Sequence, residues 1–131
     1  LLAEGLRSDV PDLQLIAASG FRGSNDRAWV EPVRPILEDM NGRRRLIAAE
    51  LLLPADRAAA LDTIRKAASD ENPWIRADAV RLLAHDAAVE VASVRAFLRD
   101  PSPWARLYAA RRLVASVQAG ATAADRKPAR R

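Results

Sequence analysis

The chain has 131 residues, enough for one domain with a buried core, and it contains no cysteine, which excludes disulfides and thiolate chemistry. Its formal charge of +4 is unevenly placed: Arg126, Lys127, Arg130 and Arg131 fall in the last six residues, while residues 1–124 carry 17 cationic against 16 anionic side chains. Half the residues are hydrophobic, yet only six are aromatic, and Ala and Leu supply most of the apolar content. Those are strong helix formers, so helices are expected and strands are not. No apolar run approaches the roughly 18 residues of a membrane span. With no signal-peptide pattern at its start, the chain is expected in the cytoplasm rather than outside the cell.

In chain order, residues 1–8 read as the end of a helix whose partner lies upstream, in a larger parent protein. Helices are then predicted at 11–19, 27–38, 42–53, 56–68, 73–84, 87–99 and 103–117. Their apolar residues recur at spacings of three and four, as in Ile75, Ala79, Leu82 and Leu83, or Val91, Val94, Phe97 and Leu98. Pro11, Pro73 and Pro103 stand at first helical positions, where the missing N–H costs nothing. Residues 119–131 read as a disordered basic tail, with the folded domain ending at 118.

The pattern repeats. Asp70, Pro73, Trp74, Arg76, Ala79 and Leu83 recur 30 residues later as Asp100, Pro103, Trp104, Arg106, Ala109 and Leu113. Stepping back 31 residues from the first set gives Asp39, Arg45, Ala48 and Leu52 on the same slots. A weaker copy runs from Asp9 through Pro11, Leu13, Ile16, Ala17 and Ala18, with Leu15 in the Arg slot. A period of this length marks repeats that bury their apolar stripes only by stacking on one another.

These slots (Asp, then Ile or Val followed by Arg, then Ala, then Leu) resemble the HEAT family in its short, phycobilisome-lyase-type form. The resemblance covers residues 9–117. It implies an all-α fold, a right-handed α-solenoid of about four helix pairs with the first and last incomplete. It also implies that Asp39, Arg45, Asp70, Arg76, Asp100 and Arg106 form a hydrogen-bonded ladder between repeats. The same six residues, spaced as acid and base, could suggest catalysis, but recurrence in three copies suits a ladder better than a single active site.

Trp74 and Trp104 share one slot in consecutive repeats, with Arg43 in that slot one repeat earlier. They read either as an aromatic ridge for a partner or as packing against a neighbouring turn. Arg57, Arg65, Arg95 and Arg99 lie on second helices, which line the concave face in a HEAT solenoid, and could hold phosphates, but Glu31, Asp62 and Glu90 share those helices. Trp29 is expected in the core. His85, the only histidine, is expected to cap a helix end. No catalytic set, metal-ligand set or cofactor motif is present, so no catalytic residue, metal or cofactor is expected. The expected role is a protein-interaction or scaffolding module with a protein partner. The alternatives are a DNA-glycosylase-like nucleic-acid binder and a subunit of a chromophore-lyase-type enzyme. Nucleic acid is expected to bind weakly and only through Arg126, Lys127, Arg130 and Arg131.

Overall fold

A computed structural model describes residues 1–126. They form eight α-helices and, among the described residues, no strand. The helices are α1 (Leu2–Leu6), α2 (Pro11–Ser19), α3 (Val30–Val33), α4 (Gly42–Leu52), α5 (Arg57–Ala67), α6 (Pro73–His85), α7 (Val91–Arg95) and α8 (Pro103–Asp125). Two 3-10 turns, Arg34–Glu38 and Ala96–Arg99, continue α3 and α7.

Local chemistry sets the helix starts. Proline occupies the first turn of α2, α6 and α8. The Asn41 carboxamide oxygen accepts from the N–H groups of Arg43 and Arg44, and that of Asn72 from Trp74 N–H. Asp56 caps α5 through Ala59 N–H. Each cap pairs amide donors that the helix itself leaves open.

Helices α2, α4, α6 and α8 pack in succession: α2 on α4, α4 on α6, and α6 on α8. The intervening segments fill the spaces between, so that α3 touches α2 and α4, α5 touches α4 and α6, and α7 touches α6 and α8. One column of alanines runs through the row at the repeat period. Ala18, Ala48, Ala79 and Ala109 are all essentially inaccessible. A methyl group at that slot fills the narrow space between helices, and a larger side chain would overpack it. Around the column, Leu46, Leu52, Ile64, Val33, Val80 and Val94 are the largest fully buried side chains.

The structure departs from the sequence reading in three places. The helix expected over 27–38 is four residues of α-helix followed by a 3-10 turn. Pro32 and Pro35 both fall there, and Pro35 cannot supply the amide an α-helix needs at that point. The helix expected over 87–99 likewise starts late and ends in a 3-10 turn. Pro101 favours the extended conformation seen at Asp100 (φ −62°, ψ 141°) and closes the segment.

The third departure is at the C-terminal side. Residues 119–125, read as disordered tail, are the last turns of α8. Ala119, Ala121, Ala123 and Ala124 are helix formers, and the single Gly120 does not break the run. Lys127, Arg130 and Arg131 lie outside the described residues. At the other end α1 folds back on α2, with Leu6 buried. Gly5 sits so close that a Cβ there would come within 2.7 Å of the Ala17 methyl carbon. Leu13 and Ile16 on α2 stay exposed.

Candidate interaction surface

The turn before each of α4, α6 and α8 is built the same way. The Asp carboxylate accepts from the amide two residues on: Asp39 from Asn41 N–H (2.7 Å), Asp70 from Asn72 N–H (2.8 Å) and Asp100 from Ser102 N–H (2.7 Å). The Arg six residues later reaches back to the turn's carbonyls. Arg45 Nη1 donates to Asp39 O and Met40 O, Arg76 Nη1 to Asp70 O and Glu71 O, and Arg106 Nη1 to Asp100 O and Pro101 O.

Two of these arginines also reach forward to the next repeat. Arg76 binds the Asp100 carboxylate through both Nε (3.0 Å) and Nη2 (3.2 Å). Arg45 stands 3.7 Å from Asp70, a looser rung. Arg106 reaches no further carboxylate among the described residues. At the first junction, where Leu15 replaces the arginine and is buried, a different pair takes over. Arg44 on α4 binds Asp12 on α2 with two hydrogen bonds of 2.9 and 2.7 Å. Sequence reasoning missed this pair because it lies off the repeat slots.

These pairs set the acid response. Hydrogen bonds from Arg44 hold the Asp12 carboxyl below the usual carboxylate range, and Arg57 does the same for Asp86. Burial pushes Asp100 up, but hydrogen bonds from Arg76 and the Ser102 amide outweigh it, and its pKa is also lowered. A lowered folded-state pKa stabilises the fold above the unfolded value, near 3.9 for Asp, and that contribution is lost as pH falls through the folded value. The urea midpoint is therefore expected to hold steady from about pH 7 to 5 and to drop below about pH 4. A series of equilibrium unfolding curves checks this, and Asp100→Asn should flatten the drop.

The tryptophans of the repeat do not bury. Trp74 is 70% exposed and Trp104 49%, whereas Trp29 is buried in the core. Both exposed rings line a groove of about 560 Å³ that crosses α4, α6 and α8, together with Arg43, Ile75, Asp78 and Tyr108. A smaller apolar notch lies directly between the rings, walled by Pro73, Pro101 and Pro103. Tyr108 was not singled out in the sequence, and Ile75 was read there only as part of the apolar stripe of its helix. They sit one helical turn from Trp104 and one residue from Trp74, and only the packing of α6 on α8 reveals that they share one surface.

The arginines of the second helices divide. Arg57 forms a 2.7 Å ion pair with Asp86 that ties α5 to the end of α6. Arg65, Arg95 and Arg99 are exposed and form no ion pair among the described residues. His85 Nδ1 lies 3.0 Å from Arg81 O within α6. A further cleft of about 670 Å³ lies beneath the loop at 21–27, between Phe21, Trp29 and Leu51. No cluster of three or more metal-ligating side chains occurs among the described residues, and none of the described helices is long and apolar enough to cross a membrane. No family model, curated protein or solved structure matches this chain significantly.

Proposed function

We propose that this chain is a protein-binding module in which a right-handed HEAT-like solenoid presents the Trp74–Trp104 groove to an extended segment of a partner protein. The observation that carries the reading is the pair of exposed indoles in one repeat slot, lining a common groove with Tyr108. Contiguous exposed apolar surface usually marks an interaction site, and tryptophan and tyrosine are enriched among the residues that dominate binding energy where proteins meet. The Asp–Arg rungs and the buried alanine column support the solenoid, because both recur at the repeat period and both act between neighbouring units.

The chemistry of the groove favours prolyl and aliphatic side chains. Flat aromatic walls pack well against preformed, extended proline-rich segments. Arg43 and Asp78 at the groove can orient a partner backbone or pair with charges of either sign. Selection of a random peptide library against the chain, with W74A/W104A as counter-selection, tests this. Enriched, proline- or aliphatic-rich sequences that require both tryptophans are expected. Enrichment that is equal on the variant would contradict the reading. Tight, salt-sensitive binding of duplex DNA through Arg65, Arg95 and Arg99 would favour the nucleic-acid alternative instead.

A further inference from the structure

Helix α8 is 23 residues long, but only its first half belongs to the packed body. Ala105 and Ala109 are buried, and Arg112 Nη2 donates to Ala87 O and Val89 O, which anchors that half. From Val117 to Asp125 every residue is exposed, and Gly120 sits in the middle. A helical stretch of that length with an internal glycine and no packing is marginal on its own in water.

The outward side of α8 carries a seam that runs on into the projecting stretch. Leu107, Ala110, Val114, Val117, Ala121 and Ala124 follow alternating steps of three and four, the spacing of a two-stranded coiled coil. Leu107, Val114 and Val117 are all exposed. The buried Ala105 and Ala109 lie on the opposite side of the helix, so the seam faces away from α6. Next to it stand exposed Arg111 and Asp125, two heptads apart on the same flank.

We infer that the distal half of α8 pairs, antiparallel, with the same segment of a second copy of this chain. The charges decide both occupant and direction. One helix carries both members of the pair, so it is complementary to itself only when reversed. The antiparallel register that sets Arg111 beside Asp125 of the second copy, twice by symmetry, also layers Val114 on Ala124 and Val117 on Ala121. Each layer opposes a larger residue with a methyl group, which lets the helices approach closely. A parallel pair would instead set Arg106 beside Arg111 of the second copy, like charges across the seam. The antiparallel arrangement also leaves the two packed bodies at opposite ends of the pair, clear of each other.

Sedimentation equilibrium on the 131-residue chain, over micromolar to millimolar concentration, tests this. The mass is expected to rise from 14.3 kDa toward its double. V114E/V117E should abolish that rise while leaving the thermal unfolding midpoint of the body unchanged at low concentration. R111D should weaken association about fivefold by setting two acidic pairs across the seam, and R111D/D125R should restore it. A mass that stays at the monomer throughout overturns the inference. So does an R111D variant that associates more tightly, because only a parallel pair gains from that change.

Discussion

Replacing Asp100 by Ala is expected to destabilise the fold by about 2 kcal/mol, because a nearly buried carboxylate loses bonds to Arg76 and to the Ser102 amide at once. Asp100 is only 9% exposed, so water does not replace those partners well. The same change at Asp70 should cost less. Its rung to Arg45 is 3.7 Å long, and its side chain is more open than that of Asp100. A double-mutant cycle on Arg76 and Asp100 should give a larger coupling than one on Arg45 and Asp70. Chemical denaturation of the two single variants and the two cycles checks the order. Equal costs at both positions would mean that the rungs contribute through their turns alone.

The second large effect concerns binding rather than stability. Trp74→Ala and Trp104→Ala should each reduce affinity for a groove ligand about 30-fold, the loss that corresponds to about 2 kcal/mol at an aromatic hot spot. Both rings are largely exposed, so each variant should unfold within about 0.5 kcal/mol of the parent. Trp29→Ala should behave in the opposite way, because that ring is buried: a large loss of stability with no direct effect on the groove. Isothermal titration with a selected peptide, paired with unfolding curves, separates the two kinds of effect.

Much of the helical layout is legible in the sequence because apolar spacing and capping residues mark it twice over. The starts of α2, α6 and α8 are signed by proline, and those of α4 and α6 by Asn41 and Asn72. The second segment at 27–38 is harder to read, since its apolar spacing is helical while Pro32 and Pro35 forbid a continuous α-helix. The end of α8 is misjudged for a related reason. Alanine and a single glycine look like a linker when no packing partner is in view, yet their propensity is helical.

The groove shows the limit of a repeat alignment. Trp74 and Trp104 can be found by the 30-residue period, because they occupy one slot. Whether such rings turn inward or outward is not written in the slot itself: Ala79 and Ala109, not the tryptophans, are the repeat residues that are buried. The Arg44–Asp12 pair is invisible for a different reason: it replaces a missing rung using residues outside the pattern. Arg57 looks available for a ligand in the sequence, but the fold brings Asp86 against it.

For the Trp74–Trp104 groove as the proposed binding surface, the three tryptophans offer a direct test. Each gives one indole N–H signal in a nitrogen–proton correlation spectrum, and Trp29, buried in the core, serves as an internal reference. Titration with a peptide selected on this chain should shift the Trp74 and Trp104 signals together, along a common saturation curve, and leave Trp29 in place. Saturable binding that leaves both exposed indoles unmoved, with shifts instead at Arg65, Arg95 or Arg99, would contradict that role for the groove.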